Sequence, residues 1–405
     1  MFIPSKKLWD RMCNEKAGLF FEESLGDHSH GVIAKIPIFS IKNIVNGCRV
    51  DFTLFNVSVN ETKVACSRLV IKDDINHPLV VFTPHRTDYE LKCIKCILPM
   101  QLIPIHFFDE LSMNIVSAMT SFKSINQFGY FLNRESYDTV EKNIASIAID
   151  ALENYTTELK IENKINETVK IIEQKSLTIE LKEIVANKID YIGNDAVKIL
   201  SINEEEEGIV SENSVWTLIE NIFSPNIYHS PYYLKDKRQT ELTDILALSD
   251  RGVILFESKC ATVLDSEKLR SSTRKASNIK KQIYKAISQL KGAANNIQSG
   301  EKIYNKGDKE IDVSFYNMRF KHAVIVISDF FPGIDWESIA YDLIIASKST
   351  KFCFSILDLM ELRLLVGAGD SAPLFHLNLL NIFEKMYESG TAFIKGKYLI
   401  EDDNS

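Results

Sequence analysis

The 405-residue chain contains no GxxxxGK[ST] loop, no GxSxG and no HExxH. Without the first there is no backbone cradle for a nucleoside triphosphate, so ATP use is not expected. Without the other two, the commonest serine-hydrolase and zinc-protease routes drop out. Long apolar runs are lacking too: the best, Cys96–Phe108, is too short to span a bilayer and is broken by Gln101, His106 and two prolines. The opening MFIPSKKLWDRMCNEK lacks the sustained apolar core of a secretory signal. Cysteines number seven, odd and scattered, which argues against a disulfide framework and predicts a cytoplasmic protein. Cys93 and Cys96 form a CxxC without a second pair and read as thiols on a buried apolar strand. His28 and His30 have no third ligand at metal-binding spacing.

What is present is the composition of an ordinary folded protein, 45% hydrophobic and 25% charged, long enough for two or three domains. A net charge of −8 argues against coating nucleic acid along the whole surface, but leaves room for a local basic groove. No internal repeat occurs. The chain divides into three regions: a β-rich N-terminal domain (1–135), a helical middle region with an acidic linker (136–208), and an α/β domain (209–405). The first region carries β-like runs at Gly31–Ile41, Val50–Val59, Thr62–Ile71 and Leu79–Phe82. TVKIIEQKSLTIELKEIVANKI, in the middle region, reads as helical, and the glutamates at 204–207 as a solvated connector.

The third region predicts a helix over Glu212–Phe223 and strands around Tyr228–Leu234, Leu242–Ser249 and Gly252–Cys260. A long amphipathic helix over Asn278–Gln298 follows, then a strand at Phe320–Ser328. A helix in DWESIAYDLIIAS, a strand in KFCFSIL, and a helix capped by Asp358 and Glu361 complete it. That order implies a mixed sheet with helices on both faces.

The hairpin TDILALSDRGVILFESKC carries the chemistry. A loop centred between Asp250 and Arg251 pairs residues whose numbers sum to 501, which sets Asp244 directly opposite Glu257. Two carboxylates so placed repel each other without a counter-ion, and a hard divalent cation such as Mg²⁺ removes the conflict. Lys259 falls on the same strand face as Glu257. Two acids on a metal with an ammonium beside them suit phosphodiester hydrolysis. A surface hairpin with a Glu257–Lys259 ion pair is the competing account of the same spacing.

Asp244 followed by FESKC resembles the PD-(D/E)xK nuclease superfamily, the restriction-endonuclease-like fold, over about 210–330; Thr243 stands where the family's first motif often has Pro. The resemblance implies an α/β (α+β) domain containing a mixed sheet flanked by helices. It implies Mg²⁺ (or Mn²⁺) on Asp244 and Glu257, and Lys259 as catalytic lysine. Glu220 on the preceding helix would be an auxiliary acid and further metal ligand, with Glu212 a weaker choice. Gln289 on the following helix, preferred over Gln282, would bridge a bound water or phosphate.

Between Lys259 and Lys302 there are ten basic residues and three acids. This stripe is the footprint expected of phosphate contact, and Lys268, Arg270, Arg274, Lys275, Lys280, Lys281 and Lys285 are its nucleic-acid-binding candidates. The expected function is a metal-dependent endonuclease acting on DNA rather than RNA, in a restriction or anti-phage setting. No membrane partner is expected. The chain could form a homo-oligomer, and the N-terminal half could bind a protein partner or restrain the nuclease. The alternatives are a non-catalytic nucleic-acid-binding or assembly module on the same fold, and an RNA-directed nuclease.

Overall fold

Strands rich in buried apolar residues, continuous in some and alternating with polar ones in others, build the N-terminal sheet of this mixed α/β protein. A computed structural model describes residues 2–25, 30–72, 78–97, 100, 102–122, 140–157, 169–192, 197–201, 207–259, 272–313, 319–328, 330, 333–369 and 371–394. Two units result: residues 1–189 with 201–203, and residues 204–405 with 190–200.

The first unit runs α1 (Lys6–Asn14), β1 (Gly18–Glu23), β2 (His30–Lys35), α2 (Ile38–Val45), β3 (Val50–Val59), β4 (Thr62–Ile71), β5 (Leu79–His85), α3 (Asp88–Ile97), β6 (Ile103–Phe108), β7 (Asn114–Phe122), α4 (Lys142–Thr157) and β8 (Val169–Ala186). Its eight strands form one sheet in the order β1-β2-β6-β7-β8-β3-β4-β5, parallel only between β2 and β6. The β3–β4 hairpin has the expected bounds. Its two turn residues, Asn60 and Glu61, both have positive φ, the turn that matches strand twist. Phe21, Phe52, Leu54, Leu69 and Phe107 fill one core. A second core, with Phe55, Val57 and Cys66, lies under α4.

Three expectations are corrected here. The segment read as helical, TVKIIEQKSLTIELKEIVANKI, is almost wholly strand: it falls in β8 and in β9 (Lys188–Ile192), which pairs with β10 (Val197–Ser201). Leu177, Ile179 and Leu181 alternate with Ser176, Thr178 and Glu180, a period of two that the many charged residues masked. Because β8 lies between β3 and β7, the middle region is not a helical region of its own: most of it belongs to the first unit, with β8 inside that unit's sheet. Cys93 and Cys96 sit on helix α3, one buried and one exposed. The run Gly31–Ile41 is strand only to Lys35, because α2 starts behind Pro37.

The first unit also buries charge. Lys35 is fully buried, its ammonium donating to the carbonyls of Met12 (2.6 Å) and Glu15 (2.8 Å) at the end of α1. Glu90 accepts from Arg11 (2.7 Å) and from the Arg86 amide (3.1 Å), with His85 at 3.8 Å. Burial alone would raise the Glu90 carboxyl; His85, Arg11 and the Arg86 amide outweigh it and hold the pKa down at about 2. A depressed carboxylate stabilises above its ordinary pKa of 4.5, and that stability is lost as pH falls through about 2. Glu90→Gln is therefore expected to cost about 2–4 kcal/mol at pH 7 and to flatten acid unfolding between those limits, as read by urea melts.

The second unit contains α5 (Glu207–Phe223), β11 (Ile227–His229), β12 (Tyr232–Lys235), β13 (Arg238–Glu241), β14 (Ile245–Ser249), β15 (Gly252–Lys259), α6 (Ser272–Gln298), β16 (Ile303–Tyr304), β17 (Glu310–Ile311), β18 (Phe320–Ile327), α7 (Trp336–Thr350), β19 (Cys353–Asp358), α8 (Leu359–Ala368) and α9 (Ala372–Ser389). Its main sheet has the order β11-β14-β15-β18-β19, antiparallel up to β15 and parallel beyond it. Val253–Phe256 and Ala323–Ile327 are continuous buried apolar runs, as strands covered on both faces require. A Cβ on Gly252 would come within 2.0 Å of the Phe320 carbonyl oxygen, so the start of β15 accepts only glycine. The Asp358 carboxylate accepts from the Glu361 amide at 2.6 Å, the predicted cap of α8.

At the N-terminal end of the parallel strands, the rings of His322 and His376 stack with centroids 5.3 Å apart, beside Phe320. Both histidines are buried. His376 Nε2 shares a hydrogen bond with Ser249 Oγ at 2.9 Å, whereas among the described residues no group bonds either nitrogen of His322. Among the described residues, no helix is long and apolar enough to cross a membrane.

Candidate active site

The β14–β15 ladder has the predicted register: Ile245 pairs with Phe256, and Ser249 with Gly252. The hairpin is not a surface feature. Every residue of β14 is buried, and β15 is buried from Gly252 to Ser258. The surface ion-pair account is thereby excluded.

Asp244 lies one residue before the ladder and is held from three directions. Its carbonyl accepts from the Ser230 amide at 2.7 Å, and Thr243 Oγ1 donates to the Phe256 carbonyl at 2.7 Å. Its carboxylate Oδ2 accepts from the Ser258 amide at 2.7 Å. With β14 ended, that amide has no ladder partner on this side, so the side chain takes the place of a missing strand. Lys259 Nζ donates to Glu257 Oε2 at 2.6 Å and lies 3.7 Å from Asp244 Oδ2. Asp244, Glu257 and Lys259 are thus brought together as expected.

Electrostatics at this cluster are unbalanced toward negative charge. Burial, then the charge of Asp244, pushes Glu257 up to about 7 despite Lys259. Burial raises Asp244 against the pull of Lys259 and the Ser258 amide. Burial opposes the charge on Lys259, but Glu257 and Asp244 outweigh it and hold the ammonium's pKa above its ordinary value.

On the preceding helix, the acid that reaches this field is Glu212. Burial, then Asp244 and Glu241, pushes it up to about 7. Ser211 Oγ meets Ser258 Oγ at 2.5 Å and anchors that end of α5 on the hairpin. Glu220 is buried and lies about 12 Å further along the helix axis, so the structure does not bring it to the cluster. The acid of this helix that lies at the cluster is Glu212.

A similar correction applies to the glutamines. Tyr284 Oη meets Ser338 Oγ (3.4 Å) near the start of α7, while the Gln298 amide side chain reaches the Thr350 carbonyl at the end of α7. Helix α6 therefore runs back from the Lys259 end of β15. Gln282 is half-buried on the early part of α6, and Gln289 is exposed about 10 Å further from that end. Position favours Gln282.

Of the basic candidates, Lys281 and Lys285 are exposed on α6, and Lys280 lies over the Tyr284 ring at 5.9 Å. Arg274 and Lys275 are on the first turn of α6, with side chains outside the described residues, as are Lys268 and Arg270 altogether.

Sequence reasoning missed three further groups. Glu241, three residues before Asp244, adds its charge at Asp244, Glu257 and Glu212. His229 places Nε2 3.6 Å from Glu212, and its Nδ1 lies 2.9 Å from Lys306 Nζ. Only the acid three positions from Asp244 left any local signal. His229 and Lys306 are far apart in sequence.

The donor set fits a hard divalent ion: two buried carboxylates facing one ammonium, with Glu212 and Glu241 adding negative charge. Among the described residues no three His, Cys, Asp or Glu side chains form a ready cage, so water or phosphate oxygens would complete the coordination of an ion held by Asp244 and Glu257. No family model and no curated protein matches the chain.

Proposed function

We propose that the second unit is a metal-dependent nuclease that hydrolyses phosphodiester bonds in nucleic acid, DNA ahead of RNA. The observation carrying this reading is the meeting of Asp244, Glu257 and Lys259 at the open end of a buried hairpin. The helix–strands–helix order around that hairpin supports the resemblance to PD-(D/E)xK nucleases on which the DNA preference and the restriction or anti-phage setting rest.

Asp244 and Glu257 would hold Mg²⁺ or Mn²⁺, which supplies Lewis acidity at the phosphoryl oxygen and a more acidic water. The protein's own contributions follow from geometry. The Ser258 amide fixes the Asp244 carboxylate, leaving Oδ1 to face an ion. Lys259 is held protonated, so it acts as an ammonium that orients the attacking water and offsets phosphate charge rather than as a base. The first unit, whose sheet uses none of these groups, would restrain the nuclease or recognise a partner.

The test is incubation of the full chain with plasmid DNA, linear DNA and labelled RNA in Mg²⁺, in Mn²⁺ and in EDTA. DNA cleavage that requires the metal is the expected result. Binding without cleavage under any divalent metal would replace the enzyme with a non-catalytic binding module, and cleavage confined to RNA would reverse the substrate.

A further inference from the structure

Beside the site, β13-β12-β16-β17 form a small separate sheet. Strand β16 pairs with β12 only at Tyr232 and Tyr233, so residues 234–239 continue beyond it as a two-stranded ribbon. Asp236 and Lys237 make its turn, both with positive φ. Lys235, Lys237 and Arg238 surround the single acid Asp236 at the tip, all exposed, and Leu234 is 49% exposed.

The two faces of this sheet differ. Tyr233, Ile303 and Ile311 share the face on which the two isoleucines are buried. The opposite face carries Tyr232, Leu234 and Tyr304. Tyr232 and Tyr304 stack with centroids 5.5 Å apart and an interplanar angle of 24°, and Tyr232 Oη donates to Asp308 at 2.5 Å.

Three connections place this face at the hairpin carboxylates. The Ser230 amide, two residues before Tyr232, bonds the Asp244 carbonyl. Lys306, in the β16–β17 turn, reaches His229 next to Glu212. Glu241, directly opposite Tyr232 in register, adds its charge at Asp244 and Glu257.

We infer that this ribbon is the substrate grip of the site: its tip cations hold the phosphate backbone, and the Tyr232–Tyr304 pair stacks an unpaired base, making single-stranded nucleic acid the preferred substrate. The inference rests on the nuclease reading for the word substrate. An aromatic face accepts any base and adds affinity only where the base is unstacked from its neighbours. Paired bases present no such face, so duplex binding draws on the cations alone.

The experiment is fluorescence anisotropy of the full chain with a labelled single-stranded oligonucleotide and with the matching duplex, in EDTA so that cleavage plays no part. Tyr232→Ala is expected to weaken single-strand binding about tenfold or more while changing duplex binding less than twofold, and Tyr232→Phe to retain wild-type binding. The Lys235→Ala, Lys237→Ala, Arg238→Ala triple variant is expected to weaken both and to reduce the salt slope for the single strand by about 2. Every substitution is at a residue outside the core, and circular dichroism checks the fold.

Unchanged single-strand binding in the tyrosine and tip variants overturns the inference, as does equal loss of single strand and duplex in Tyr232→Ala. Ribbon-dependent binding by a chain that never cleaves would keep the grip and discard the nuclease. Metal-dependent cleavage with ribbon-independent binding would do the reverse.

Discussion

Asp244→Asn is expected to reduce phosphodiester cleavage about a thousandfold or more without lowering the protein's stability. On the proposed nuclease function, the substitution removes one of the two charged oxygen donors that would hold the divalent ion, whose Lewis acidity would supply several kcal/mol at the reacting phosphate. Retained stability follows from the same geometry. Asn keeps an oxygen to accept from the Ser258 amide, now at 2.7 Å from Asp244 Oδ2. It also removes a carboxylate whose ionisation is made unfavourable by burial, then by Glu241.

Lys259→Ala separates the two properties differently. It leaves Glu257 and Asp244 buried and facing each other without their shared ammonium, so about 3–5 kcal/mol of stability should go together with the activity. The check is cleavage in Mg²⁺ paired with thermal melts in EDTA for both variants. Cleavage by Asp244→Asn at near wild-type rate would remove the hairpin from the chemistry.

In mild acid His322 and His376 should draw stability from the second unit, opposed by Glu257 and Glu212, whose raised carboxyls take up protons in the folded state. Burial holds His376 down at about 4, only partly opposed by Asp250, and burial together with His376 holds His322 well below 6.5. The unfolded chain takes up these protons below about pH 6.5, while the folded one does not. The histidines' contribution is therefore complete above that pH and declines from there down to the folded values, by about 1.4 kcal/mol per unit for each histidine, levelling off below them. Other groups near the stack are Ser249, which bonds His376, and Phe320, which bears no charge.

His322→Phe should abolish half of this slope. It replaces a ring whose two nitrogens have no hydrogen-bond partner among the described residues, inside a stack that already contains Phe320, and should add about 1–3 kcal/mol at pH 7 and more at pH 5. Urea unfolding at both pH values decides it. A variant less stable than wild type at pH 5, or an unchanged slope, would show that His322 is not the group being protonated.

Legibility differed between the two units for a physical reason. In the second, local pattern and final environment agree. The apolar run Gly252–Phe256 is a strand buried on both faces, Asp358 and Glu361 do cap α8, and a two-residue turn set the register that brings Asp244 to Glu257. In the first, β8 lies at the centre of its sheet yet carries Glu180 and Lys182 exposed on one side, so composition imitated a solvated helix. The tight contact of Gly252 with Phe320 likewise left no trace in the residues around it.

Residue order alone determined the hairpin and the triad of Asp244, Glu257 and Lys259, because strand periodicity and a short turn relate residues a few positions apart by simple geometry. Which helix acid joins them was decided only by the packing of α5, which turns Glu212 toward the cluster and carries Glu220 away. The same holds for Gln282 over Gln289, for the His229–Lys306 contact and for the tyrosine face at the site. Those groups meet through the angle at which elements cross, and that angle is set by the whole core rather than by any local run of sequence.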